Sequence, residues 1–290
     1  MNNVVTLNSP EVVIEATADV GEGPVFDPRT GRLCWVDITG GMIFENDLAN
    51  GSQTSAHLDT MVGAIAPRAA SSGFAVAFSD GFGFWDDDVL TIADPVLPEP
   101  HRRMNDAKCD SRGRLWAGSN HMEFVPGVGE LHRWDGSSPS VSLAKGLTLP
   151  NGLGWSPDDR TMYLVDSMRG LLSSAPFDAD AGVPGEFTVL CELADGLPDG
   201  LTVDAEGCIW VAMWSGWQVR RISPSGELLA VVPMPVSQPS SCAFGPDGTL
   251  YITSARSGLD AESLVSQPHA GSVFALSTTV TGVPVAPFAG

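Results

Sequence analysis

Thr202-Val203-Asp204-Ala205-Glu206-Gly207-Cys208-Ile209-Trp210-Val211 is a pair of short apolar runs around an Asp-x-x-Gly turn. The Asp supplies Asx hydrogen bonds and the Gly supplies the positive φ that a tight reversal needs, so the stretch reads as a β-hairpin. The same pattern recurs at residues 25–37, 108–117, 154–164 and 243–252. Each copy carries an aromatic residue in its second strand: Trp35, Trp116, Tyr163, Trp210 and Tyr251. The later anchors stand 47, 47 and 41 residues apart, and the first gap of 81 is close to two periods. Residues 70–78, Ala-Ser-Ser-Gly-Phe-Ala-Val-Ala-Phe, fit the missing copy in degenerate form. Six units of roughly 40–50 residues match the length of a four-stranded propeller blade.

The expected fold is therefore all-β, a six-bladed β-propeller that occupies residues 1–290 as one domain with no linker. Gly 32 and Pro 22 are spread along the whole chain and leave little room for long helices. Ring closure is expected to pair an N-terminal strand at residues 12–16 with residues 272–276 of the last blade. Two stacked β-sandwiches are the rival architecture, but a regular period with aromatic anchors is not expected of them.

Composition narrows the function. Lys+Arg 15 against Asp+Glu 35 gives a formal net charge of −20, and Lys108 and Lys145 are the two lysines. Nucleic acid and anionic membrane surfaces need a basic patch, so neither is expected as a partner. No apolar run approaches the ~20 residues that span a bilayer. The opening Met1-Asn2-Asn3-Val4-Val5-Thr6 has no basic region followed by an apolar one, so no secretory signal is read there. The cysteines are Cys34, Cys109, Cys191, Cys208 and Cys242, an odd number with no CxxC. Buried free thiols in a reducing, cytoplasmic setting follow.

Polar residues stand just before the first hairpin strand of several units. They are Glu22 in Gly21-Glu22-Gly23-Pro24, Asn105 in Arg103-Met104-Asn105-Asp106, Asn151 in Leu149-Pro150-Asn151-Gly152, and Asp199 in Pro198-Asp199-Gly200. In a propeller, equivalent positions of successive blades converge on the central channel. Glu22, Asn151 and Asp199 would then offer two carboxylates and one amide oxygen, a donor set for a hard divalent cation. One Asx before Gly is ordinarily a turn cap; recurrence at one blade position is what gives these residues a further meaning. The five His show no HxH or HExxH spacing, so a His-based zinc site is not expected. Arg103 reads as a fork for substrate oxygens or as an ion-pair partner of Asp106. Glu123 follows the strand Leu115-Trp116-Ala117-Gly118 on a loop that would overhang the channel. The run Asp86-Asp87-Asp88 reads as a solvated turn. Trp214 and Trp217 are candidates to wall a pocket.

At these residues the sequence resembles the SMP-30/gluconolactonase/regucalcin-like family, which includes sugar lactonases. The resemblance spans nearly the whole chain. It is carried by Gly21-Glu22-Gly23-Pro24-Val25, Cys34-Trp35-Val36-Asp37-Ile38, Arg103-Met104-Asn105-Asp106-Ala107-Lys108, Arg114-Leu115-Trp116-Ala117-Gly118, Asn151-Gly152-Leu153-Gly154-Trp155-Ser156 and Pro198-Asp199-Gly200-Leu201. The resemblance implies one divalent cation in the channel, held by Glu22, Asn151 and Asp199, and substrate contacts from Arg103, Asn105 and Glu123. Ala107 stands where the family pattern has glycine, and Gly23 where many members have serine.

The expected activity is hydrolysis of a sugar (aldono-) lactone to its aldonic acid, with Asp199 as general base. The cation (Ca, Zn, Mg, Mn or Fe(II)) would polarise the ring carbonyl. A monomer or small homo-oligomer is expected. Three other readings use the same scaffold: a calcium-binding regulatory protein without lactonase activity, a protein-interaction platform, and a lactonase for non-sugar lactones or esters. A hydrophobic channel mouth would favour the last.

Overall fold

The computed structural model describes residues 4–137 and 139–290. Met1, Asn2 and Asn3, the start of the stretch read for a leader, lie outside the described residues. Six sheets form the blades of a ring, antiparallel throughout except where Val5–Thr6 adds a parallel edge strand to blade 5. Their innermost strands are Gly21–Asp27, Val62–Pro67, Arg102–Cys109, Pro150–Trp155, Leu197–Val203 and Pro239–Phe244. Each inner strand packs against the next, and the last packs against the first. The weak copy at residues 70–78 is blade 2, whose second strand is Phe74–Phe78.

The ring closes through the N-terminal strand Glu11–Ile14, which pairs antiparallel with Val273–Ser277 of blade 6. Among the described residues, no helix is long and apolar enough to cross a membrane.

The Asp-x-x-Gly-x-x-Trp spacing has a direct cause. In blade 5, Asp204 is fully buried and accepts from Cys208 N at 2.9 Å and from Trp210 Nε1 at 2.9 Å. In blade 3, Asp110 accepts from Arg114 N at 3.1 Å and from Trp116 Nε1 at 2.9 Å. One carboxylate thus closes the hairpin turn and satisfies the indole N–H that the blade core buries. The turn glycines Gly113 and Gly207 sit at φ 74° and 84°, conformations that a Cβ disfavours. The aromatic anchors Trp35, Trp116, Tyr163, Trp210 and Tyr251 are all buried.

The C-terminal segment crosses one end of the ring. Gly282 bridges to Asp204 in blade 5, and Phe288 bridges to Arg68 in blade 2. Phe288 is fully buried and stacks on Trp134 of blade 3, with centroids 4.9 Å apart. Residues 283–286 roof a small cavity of about 100 Å³ at the far ends of the inner strands, beside Val25, Ala66, Trp155 and Phe244. The other end of the ring is open.

Four of the five cysteines are buried, Cys191 is half-buried, and all five are free thiols. Burial pushes the Cys242 thiol up to about 12, so it stays protonated at neutral pH. Asp86-Asp87-Asp88 is a solvated turn whose first member pairs with Arg68.

Candidate metal centre and substrate chamber

All six inner strands break register with their partners at the same place. The irregularities fall between Glu22 and Val25, Val62 and Ala64, Met104 and Ala107, Pro150 and Leu153, Pro198 and Leu201, and Pro239 and Ser241. A bulge bends its strand and re-aims a side chain. Here the bulged residues include Asn105, Asn151 and Asp199, and Glu22 is the last paired residue before the bulge at Gly23 and Pro24. The backbones approach closely at this level: a Cβ on Gly152 would lie 2.5 Å from Asp199 O, and one on Gly63 would lie 2.3 Å from Asn105 O. Glycine at these positions lets neighbouring blades close on the axis.

Glu22, Arg103, Asn105, Asn151 and Asp199 line one open chamber of about 360 Å³. Asn151 donates through Nδ2 to Asp199 Oδ1, and to Ser167 Oγ at 3.0 Å. Asn105 donates to Pro150 O at 3.1 Å. The Arg103 side chain donates from Nη1, to Asn105 Oδ1 at 2.7 Å and to Met104 O at 3.0 Å. Arg103 forms no ion pair with Asp106 among the described residues; the charge that most favours ionised Asp106 is Lys108. Lys108 is itself engaged with Leu201 O at 2.6 Å.

Burial holds Glu22 well above the ordinary carboxylate range, and the charges of Asp199 and Asp106 push it further. Burial and the charge of Asp106 raise Asp199 in the same way. Burial lowers Arg103 to about 10, against the pull of Glu22 and Asp199 in the other direction.

These residues fit a divalent cation. Asn151 Oδ1 is buried and finds no hydrogen-bond donor among the described residues. Such an orphaned oxygen is costly unless something positive meets it. The two nearby carboxylates repel one another for want of the same charge. Among the described residues no three His, Cys, Asp or Glu side chains group to hold an ion, so a third protein oxygen has to come from the amide.

The supports of the site are aspartates that the sequence reading left without a role. Asp37 Oδ1 accepts from Val20 N at 3.0 Å, two residues before Glu22. Asp166 Oδ1 accepts from Leu149 N at 3.0 Å, two residues before Asn151. Each fixes the loop that leads into a bulge. Their signal is a Val-Asp pair closing the second strand, in Trp35-Val36-Asp37 and Leu164-Val165-Asp166.

Glu123 is placed differently. It lies exposed on its loop, with its backbone N–H bonded to His121 Nδ1 at 3.1 Å. Its neighbours Met122 and Phe124 line the chamber; Glu123 is not among the lining residues. Trp214 lines the chamber, whereas Trp217 is 47% exposed and lies outside it.

The SMP-30/Gluconolactonase/LRE-like region matches residues 20–256. The chain is 35% identical to regucalcin of Danio rerio, over 94% of this chain and 96% of that one. It is 34% identical to the 6-deoxy-6-sulfogluconolactonase of Pseudomonas putida, over 96% and 98%. The crystal structure of a calcium-binding regucalcin from Agrobacterium tumefaciens superposes with a TM-score of 0.92 at 30% identity, covering 99% of both chains. The chain belongs to the SMP-30/gluconolactonase/LRE-like family.

Proposed function

We propose that the protein is a divalent-metal-dependent lactonase that opens an aldono-1,4- or 1,5-lactone to the aldonic acid. The observation that carries the reading is the unpartnered, buried Asn151 Oδ1 beside the carboxylates Glu22 and Asp199, in a chamber that also contains Arg103 and Asn105. A relative named as a sulfogluconolactonase supports the reaction class, and one named as calcium-binding supports the cation.

Glu22, Asn151 and Asp199 would hold the ion, which supplies positive charge opposite a lactone carbonyl as that oxygen becomes negative. Asp199 takes the proton of the attacking water. The bound cation would make that water more acidic, which offsets the low basicity of a carboxylate held by the same ion. Among the described residues the side-chain bonds of Arg103 run from Nη1, which leaves Nη2 to orient the lactone oxygens. Asn105 fixes Arg103 through Oδ1 and touches the ring hydroxyls. The balanced reaction adds water across the acyl C–O bond: hydroxide goes to the acyl carbon and a proton to the ring oxygen.

A second reading is a calcium-binding regulator without turnover, favoured by the regucalcin relatives. A pH-indicator assay separates the two. Metal-stripped protein is tested on pentonolactones and hexonolactones with Ca, Mg, Mn, Zn or Fe(II) added back. Restored turnover, abolished by Asp199→Ala, supports the lactonase. Calcium binding with no turnover under any cation supports the regulator.

A further inference from the structure

We propose that this chamber also opens lactones bearing an apolar substituent, and opens them faster than polyhydroxylated aldonolactones; the proposal rests on the lactonase reading above. Glu22, Asn105, Asn151 and Asp199 sit at or beside the bulges, with Arg103 next to them, and Thr39, Ser167 and Ser257 add hydroxyls elsewhere on the lining. The walls above them are Met61, Met122, Phe124, Met168, Leu197 and Trp214, which come from blades 2, 3, 4 and 5. A sugar lactone turns a hydroxyl outward at nearly every ring carbon. Against these walls such hydroxyls give up water without a replacement partner. An alkyl or aryl substituent meets the same surface by displacing water from it.

Two further features point the same way. Met122, Phe124, Met168 and Leu197 are 45%, 38%, 44% and 38% exposed, so large apolar side chains stand in water around a single mouth. Contiguous exposed apolar surface on a soluble chain marks a place where something apolar binds. Phe124 also holds a φ of 53°, in a conformation that bulky residues rarely adopt. Its backbone N–H bonds to His121 O at 2.8 Å, which keeps the turn closed and the ring at the rim. Strain of that kind persists where the surrounding structure imposes it, and it gathers at ligand sites.

In this pose the ring carbonyl sits at the floor and the substituent trails toward the mouth. Water adds across the acyl C–O bond, with hydroxide to carbon and a proton to the ring oxygen, so nothing is oxidised or reduced. Each methylene that meets the wall should raise kcat/KM about fourfold over the first few carbons.

The test runs γ-butyrolactones with 4-alkyl chains of increasing length beside glucono- and xylonolactones, on wild-type protein with its cation restored. Calorimetry on metal-stripped protein follows the matching 5-alkyl-2-pyrrolidinones, lactams that do not hydrolyse. Both kcat/KM and lactam affinity are expected to climb with chain length. Phe124→Ser and Met168→Ser should cut the alkyl-to-aldono ratio about tenfold, and Met168→Leu should restore it. Aldonolactone turnover with no gain from the alkyl chain overturns this inference and leaves the lactonase reading standing. Chain-dependent lactam affinity with no hydrolysis of any lactone overturns the lactonase reading, and with it the faster turnover inferred here. Flat lactam affinities and no hydrolysis overturn both.

Discussion

Asn151 and Asp199 belong to adjacent blades, yet the amide of one donates directly to the carboxylate of the other at the channel axis. That bond commits Nδ2 and turns Oδ1 the other way, into a buried position with no donor among the described residues. The pair is therefore arranged as two oxygens awaiting one positive charge.

Such a site destabilises the metal-free fold. Glu22→Gln removes one of the buried carboxylates whose ionisation burial opposes. The metal-stripped variant should be more stable than the wild type by about 1–2 kcal/mol, a Tm rise of ~2–4 °C. Wild-type Tm should climb when a divalent cation is added, because the ion binds only the folded chain. The variant should lose most of that climb. Differential scanning fluorimetry with and without chelator checks both.

Asp166 tests the support of the site. It accepts from Thr148 N and Leu149 N, each at 3.0 Å, and holds the loop that delivers Asn151. Asp166→Ala strands two buried N–H groups at a cost of about 2–4 kcal/mol. Cation affinity should fall about 10- to 100-fold, as for other groups that orient a ligand from behind. Asp166→Asn keeps one acceptor and should retain more of both. Urea melts and calorimetric cation titrations measure the two effects.

How much of this was legible in the chain depends on the physics behind each feature. The hairpins were readable because a buried carboxylate that serves both turn and indole forces one spacing, seen at Asp110/Trp116 and Asp204/Trp210. Glu22, Asn105, Asn151 and Asp199 were readable as a set because each sits at one place in that repeat. Their convergence needed the ring, and their aim needed the bulges, which are backbone register and leave no fixed residue signature. Blade 2 has Gly63 at the equivalent position and adds no donor side chain. The chamber walls were the least readable. Met122 and Phe124 lie in a loop with no period, and the geometry placed them, rather than Glu123, against the chamber.

His132 gives the fold an acid limit. Arg102 donates to Ser119 Oγ at 3.1 Å, and the same hydroxyl is hydrogen-bonded to His132 Nε2 at 2.9 Å. Burial, with Arg102 and Lys145 nearby, lowers its pKa to about 4 against the opposing charges of Glu130 and Asp94. The unfolded chain takes up the proton near its ordinary value of about 6.5. Stability from this residue is therefore complete above that pH and is lost as pH falls toward 4, by on the order of 2 kcal/mol. His132→Gln should flatten the wild-type loss between pH 6.5 and 4.5 in denaturant titrations.

The C-terminal segment should matter to the whole ring. Phe288 packs on Trp134 at 4.9 Å and on Phe84 at 6.1 Å, which ties blades 2 and 3 from below. Phe288→Ala should cost about 3–5 kcal/mol. Phe288 does not line the chamber, so cation affinity of the folded fraction should hold. Thermal melts and calorimetry on one sample check the separation.

The central claim is that a single divalent cation is held by Glu22, Asn151 and Asp199. Anomalous diffraction from crystals soaked in manganese measures it directly. One strong peak within bonding distance of a Glu22 carboxylate oxygen, Asn151 Oδ1 and an Asp199 carboxylate oxygen is the predicted result. A chamber without a peak, or a peak held by other side chains, would contradict the account.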